Sequence, residues 1–384
     1  MKSKRNCLMS VFFQALSLVG IVTVLATNFA MAGDPKLPTV IRPKTPRPNL
    51  FELGFSPDGS GKPASTGRTT LSVTYTGTPP TLPASGAKVI SNIQVQGVYL
   101  GPAFGTGKSN ASDVTYLEGF LSYIVGSSFM STLSPYGVST GTAVPGVVLT
   151  GTLPHYSKSK RTYLTDTQIQ NILVTNINSL VTPADNTLYV VYTEPGVAID
   201  AGGGATSINS FLGYHNYASF TSGGVTKSFA YAVMPYPGSP NPSPSSQGFA
   251  NARDELTSVT SHEIGEAATD PDTMNGWLET VIETDTYKNS FGKVIAQFTF
   301  YDNGEEIGDV PLILFNWSSS CFVRLGSKTG FGGYLVQRMI GPDGKTMISY
   351  PGATPNATGI PQLIAPIALN AAEQTLQAIG LSHP

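Results

Sequence analysis

Ser261-His262-Glu263-Ile264-Gly265-Glu266-Ala267-Ala268-Thr269-Asp270-Pro271 places an imidazole and a carboxylate four residues apart, with a second carboxylate directly after the histidine. On a helix, positions i and i+4 share a face. His262 and Glu266 can therefore grip one cation, with Glu263 beside it where a general base for hydrolysis would stand. Stepping ~100° per residue from Leu256 puts Leu256, Thr260, Ile264 and Ala267 in one sector, which predicts the core-facing side. Val259, Glu266 and His262 lie progressively to one side, and Glu263 falls between them and the apolar sector. Ionisable groups at such an edge must face a cleft, a metal or one another, because burying unpaired charge is costly. The other reading is a solvated helix face carrying an ordinary i, i+4 pair. Asp270-Pro271 ends the helix, which the pattern places over Asn251–Ala268.

Strand and helix signals alternate upstream of this helix. Ile93, Val95, Gly97 and Tyr99 alternate with polar residues and predict a strand that Gly101-Pro102 stops. Leu117, Phe120, Leu121, Ile124 and Val125 form a helical stripe within 113–125. Thr165-x-x-Gln168 is a capping-box pattern opening a second helix, with Ile169, Ile172, Leu173, Ile177 and Leu180 turned inward. Short strands are predicted at 147–150, 188–193 and 229–234, and the Gly- and Ser-rich stretch 196–228 reads as a loop holding His215. Residues 294–301, 311–317 and 334–340 predict strands of a more irregular C-terminal part. The alternation implies a mixed α/β (α+β) domain over 89–350. Before it, the Pro- and Gly-rich residues 33–88 read as an extended N-terminal arm, with strand-like alternation only at 69–75. After it, 351–384 reads as a tail with one short helix.

A metal site needs a third ligand, and three places offer one. Asp272 lies ten residues after His262, the third-ligand offset of metzincin-type sites. Asn303-Gly304-Glu305-Glu306-Ile307-Gly308-Asp309 concentrates carboxylates in a Gly-flanked turn, which alone also fits an acidic surface loop. His215 is the upstream candidate. A His/Glu/Asp set suits zinc, and one richer in carboxylates also suits calcium or manganese. The remaining histidines, His155 and His383, read as surface loop and tail. No Gly-x-Ser-x-Gly elbow stands between a strand and a helix, and Cys321 reads as a buried structural thiol.

Composition limits the setting. Lys2, Lys4 and Arg5 precede an apolar run from Leu8 to Ala26, and Ala30-Met31-Ala32 supplies a small-x-small cleavage site. Residues 1–32 therefore read as a signal peptide, with an uncleaved anchor as the alternative, and the expected location is secreted, extracellular or periplasmic. Cleavage leaves 19 of the 22 Lys and Arg against all 24 Asp and Glu. An acidic chain without a basic stripe argues against nucleic acid and against anionic membrane as partners. Cys321 is then the sole cysteine, so no intrachain disulfide can form and a hydrophobic core must hold the fold.

The ordered motifs resemble the EXORDIUM, or phosphate-induced protein, family of secreted plant proteins with microbial relatives. They are the helix end His262-Glu263-Ile264-Gly265-Glu266 with Asp270-Pro271, then Asn275-Gly276-Trp277, Glu306-Ile307-Gly308-Asp309 and, upstream, Phe211-Leu212-Gly213-Tyr214-His215. The likeness spans roughly 89–345 and implies His262, Glu263, Glu266, Asp270, Glu306, Asp309 and His215 as site positions. The helix is also similar to a zincin helix whose second histidine has become Glu266, which implies a zincin-like mixed sheet with an active-site-type helix. The chain lacks the plant members' cysteines around Gly213 and after Asp309, so local disulfide bracing is absent. Two functions follow as expectations. One is a secreted zinc-dependent, peptidase-like hydrolase with Glu263 as base. The other is a non-catalytic extracellular or cell-wall-associated protein that binds a peptide or surface ligand, in which the site is structural.

Overall fold

The computed structural model describes residues 39–40, 70–82, 88–222, 225–272, 275–288, 291–326 and 333–356. The predicted signal peptide, most of the predicted N-terminal arm and the predicted tail helix beyond 356 lie outside the described residues.

In chain order the elements begin with β1 (Thr39–Val40), β2 (Thr70–Gly77), β3 (Gln94–Leu100), α1 (Ala111–Ile124), α2 (Ser128–Ser131) and β4 (Thr142–Leu149). Next come β5 (Leu164–Thr165), α3 (Asp166–Thr175), β6 (Thr187–Thr193), β7 (Ile199–Gly202), β8 (Ala205–Thr206), β9 (Tyr214–Ser222) and β10 (Val225–Met234). The last group is α4 (Ala252–Thr269), β11 (Leu278–Lys288), β12 (Val294–Glu306), α5 (Asp309–Leu314), β13 (Phe322–Leu325), β14 (Tyr334–Gln337) and β15 (Thr354–Pro355).

The mixed α/β class is present. A six-stranded sheet runs in the order β1-β9-β10-β6-β3-β4. The pairings β4–β3, β3–β6 and β6–β10 are parallel, whereas β9 joins β10 antiparallel and β1 joins β9 antiparallel. Alternation sorts each strand between two cores. Val95, Tyr99, Leu188, Val190, Tyr192, Ala232 and Met234 face α1 and α4. Val98, Leu100, Tyr189, Val191, Tyr231 and Val233 face α3. Being covered on both faces explains why β6 is a continuous apolar run. The capping box at the start of α3 forms: Thr165 accepts from the Gln168 backbone, and Gln168 answers from its side chain.

Helix α4 follows its predicted span to within a residue, with Asn251 capping it by accepting from the Asp254 backbone N–H at 3.0 Å. Its burial extends well beyond the one core-facing sector that the pattern predicts. Every residue from Asp254 to Thr269 is buried. The sheet strands β9 and β10 cover one side of the helix and β14 covers another. The β14 layer is held by Arg324 of β13, which donates both guanidinium arms to the Asp254 carboxylate at 2.8 and 2.9 Å. Periodicity reports the apolar side of a helix and says nothing about a second layer placed over the polar side.

Other expectations need correction. The stretch 196–228 is not a loop throughout, because it supplies β7, β8 and β9, and His215 stands on β9. Cross-strand pairing of Tyr214–Ser222 with β10 overrides the Gly/Ser composition that suggested a loop. Residues 311–317, expected as a strand, begin within α5. Strand β11 was not foreseen; it pairs with β12 and with β2, so this part of the N-terminal arm is sheet rather than free chain.

The burial of α4 has a testable consequence at its first turn. Glu255 is buried, its Oε2 makes no hydrogen bond, and desolvation pushes its carboxyl up to about 8. A carboxyl raised on folding stabilises below its unfolded value and loses that stabilisation as pH rises through the folded one. Glu255→Gln keeps the shape and removes the ionisation. Its stabilising effect is expected to be about 4 kcal/mol larger at pH 9 than at pH 5. Urea denaturation at the two values measures this, and an equal effect at both would disprove the assignment.

Candidate metal centre

Three segments far apart in sequence bring the site together. Helix α4 supplies His262, Glu263 and Glu266, strand β9 supplies His215, and the end of β12 with the start of α5 supplies Glu306 and Asp309. His215, His262, Glu263, Glu266 and Glu306 are at most 2% exposed and Asp309 is 7% exposed. The i, i+4 pair meets as the helix pitch requires, with His262 Nε2 3.1 Å from Glu266 Oε2. Asp309 Oδ1 stands 3.7 Å from the same nitrogen. On the other side of Glu266, His215 Nδ1 lies 3.2 Å from Glu263 Oε2 and 3.7 Å from Glu266 Oε2.

These separations match the ~3.4 Å edge of a tetrahedron whose corners lie about 2.1 Å from a central ion. The donors form two triads, His215/Glu263/Glu266 and His262/Glu266/Asp309, and within each the ligand atoms all lie within 4.8 Å of one another. Buried His and Glu groups are thus close enough to hold a metal ion.

The outer contacts prepare both imidazoles as ligands. His262 Nδ1 lies 3.1 Å from Gln337 Oε1, and the Gln337 amide in turn donates to the Gly308 carbonyl. With its N–H directed at an amide oxygen, His262 presents the Nε2 lone pair to Glu266 and Asp309. His215 Nε2 lies 3.0 Å from the Asp270 carbonyl, which leaves Nδ1 facing Glu263 and Glu266. Glu306, expected as a ligand, stands outside both triads, its Oε1 3.4 Å from that same Nε2 without a hydrogen bond. Gln337 itself is held by Ser261, whose hydroxyl accepts from the Gln337 backbone N–H at 2.9 Å.

The electrostatics call for a cation. Glu263 Oε1, Glu266 Oε1 and both Glu306 oxygens are buried without a hydrogen bond, the condition that is most costly for a carboxylate. Burial, then the neighbouring Glu263, raises the Glu266 carboxyl well above the usual range. Burial, then Glu266, pushes Glu306 up to about 8, and the same two causes raise Asp309 well above its ordinary value. Burial would lower the His215 imidazole, but Glu306 and Glu263 outweigh it and hold the ring well above its ordinary value. Each of these directions shows a site that must take up positive charge, as protons or as a metal. Backbone also makes room there: a Cβ at Gly308 would lie 2.6 Å from Glu266 Oε1 and 2.8 Å from His262 Nδ1, and one at Gly213 would lie 3.1 Å from Glu263 Oε1.

Two sequence candidates stand elsewhere. Asp272 pairs with Lys88 Nζ at 3.2 Å and accepts from the Asn275 amide at 2.7 Å, outside both triads. The tenth-residue offset assumes a chain that turns back toward the ion, whereas here it leads into the turn before β11. Asp270 folds that turn, because its Oδ1 accepts from the backbone N–H groups of Asn275 and Gly276 at 3.0 and 2.7 Å. Its contribution to the site is the carbonyl that receives His215. Gln337 was missed entirely; a lone glutamine on a short strand carries no spacing signal. No model of a known protein family, no curated protein and no solved structure matches this chain.

Proposed function

We propose that this is an exported metal-binding protein in which a divalent ion, zinc first, clamps α4, β9 and the β12–α5 junction together. The observation that carries this reading is the convergence of two imidazoles, each with an acceptor at its far nitrogen, and the carboxylates Glu263, Glu266 and Asp309 from three distant segments inside the core. Burial of the whole donor set favours the closed coordination of a structural site over the open position of a catalytic one. The EXORDIUM-like and zincin-like readings of the sequence belong to the same proposal. They support an extracellular or cell-wall setting with a surface or peptide ligand, and α4 packed beneath a mixed sheet is compatible with the zincin-like arrangement. No helix among the described residues is long and apolar enough to cross a membrane.

One observation favours a second reading, the zinc-dependent hydrolase. Glu263 Oε1 has no hydrogen-bond partner, and an unengaged carboxylate oxygen beside a metal is what a general base requires. The competing feature is Glu263 Oε2, which stands 3.2 Å from His215 Nδ1 inside a ligand triad. Bound metal in the purified protein, compared with His262→Ala and with Glu263→Ala, separates the possibilities. The structural reading expects metal in the wild type, at least a ~100-fold weaker affinity in His262→Ala, since even outer-shell changes cost 10–100-fold, and no peptidase activity. Peptide hydrolysis lost in Glu263→Ala with metal retained would establish the hydrolase instead. Absence of metal from the wild type at neutral pH would refute both.

A further inference from the structure

The geometry points to a centre for two divalent ions bridged by the Glu266 carboxylate, an inference that rests on the metal-binding reading above. The donors divide about Glu266, which belongs to both triads. Its Oε2 stands 3.1 Å from His262 Nε2 and 3.7 Å from His215 Nδ1. The two imidazoles come from different elements, α4 and β9. Each has a hydrogen-bond acceptor at its far nitrogen, Gln337 Oε1 for His262 and the Asp270 carbonyl for His215. Each therefore offers one lone pair, and each lone pair has its own carboxylate besides the shared one: Asp309 for His262, Glu263 for His215. Two complete sets of nitrogen and oxygen donors suit two ions rather than one.

Charge points the same way. The triad carboxylates Glu263, Glu266 and Asp309 are buried, and the two imidazoles are neutral when they ligate. One divalent ion leaves negative charge unbalanced in the core, to which the buried Glu306, Asp270 and Glu305 add, and a second ion offsets more of it. The free oxygens are also in place. Glu266 Oε2 faces both imidazoles and can be shared by the two ions, and Oε1, packed against the Gly308 backbone, has no hydrogen bond. A carboxylate used in this way spans ions about 3.5–4 Å apart. Glu263 Oε1 remains to complete coordination.

Metal-stripped wild-type protein titrated with Co2+ tests the count, and its Mn2+ form examined by electron paramagnetic resonance tests the bridge. Two equivalents of Co2+ are expected, and the fully loaded Mn2+ form should give an exchange-coupled spectrum. His215→Ala and His262→Ala should each bind one equivalent, with distinct Co2+ absorption bands because each retains a different triad. One equivalent in the wild type overturns the two-ion centre and leaves the single-ion reading standing, whereas none overturns both. Two equivalents with an uncoupled Mn2+ spectrum overturn the shared Glu266. The wild-type measurements decide the matter without either variant, so a variant that fails to fold does not remove the test.

Discussion

Stripping metal from the zinc-loaded protein is expected to lower its melting temperature by roughly 6–10 °C at pH 8. An ion at a thousand times its dissociation constant stabilises by about 4 kcal/mol, and in a chain of this size each kcal/mol moves the midpoint by about 2 °C. The effect should shrink toward acid pH, because the ligands exchange protons for metal. Glu306 gives the sign. Its folded carboxyl is pushed up to about 8, so in the metal-free protein its stabilisation is complete below the ordinary carboxylate value and is lost as pH rises through 8. His215, also raised, stabilises fully below its ordinary value and loses that contribution as pH climbs through its folded value. Metal-free protein therefore weakens from pH 5 to pH 8 while the metal-bound form gains affinity. Scanning calorimetry at the two values, with zinc and with a chelator, should show the gap widening with pH. An equal midpoint in both solutions would eliminate the metal as a structural element.

Glu266→Gln should have effects of opposite sign on the two forms. The change removes an ionisable group from the buried carboxylate cluster and keeps the side chain's volume. Metal-free protein at pH 8 is expected to gain about 1–3 kcal/mol, because the cost of holding this desolvated carboxyl beside Glu263 disappears. Metal affinity is expected to fall by more than ~100-fold, since Glu266 belongs to both triads and an amide oxygen is a poorer ligand than a carboxylate. Parallel urea denaturation with chelator and with zinc reads both effects. A loss of stability in both solutions would mean that Glu266 acts only as packing. A gain without metal and a loss with it is hard to obtain from anything except a cation site.

Much of the fold was legible because local physics recorded it. The span of the motif helix, the i, i+4 pair His262/Glu266, the Thr165/Gln168 capping box and the alternating strand at Ile93–Tyr99 all depend on residues within a turn or two of each other. The helix end at Asp270-Pro271 was equally local. His215 was selected as a candidate but placed on a loop, because Gly and Ser dominate its neighbourhood and the strand exists only through pairing with β10. Glu306 and Asp309 could be named from an acidic cluster, although nothing in that cluster distinguishes a solvated turn from a ligand pair. Asp272, attractive by spacing, is taken by Lys88, a partner whose proximity has no sequence signature.

What the sequence determined by itself was the motif helix and its end, the mixed α/β class and the kinds of donor available. These follow from periodicity and side-chain chemistry, which act over a few residues. The tertiary structure alone decided that the polar side of α4 is covered by β14, that Glu266 stands between two imidazoles, and that Gln337 and the Asp270 carbonyl fix their tautomers. Each of those facts joins positions between about fifty and seventy-five residues apart. Such contacts depend on how layers stack, and stacking is set by the whole core rather than by any one stretch of chain.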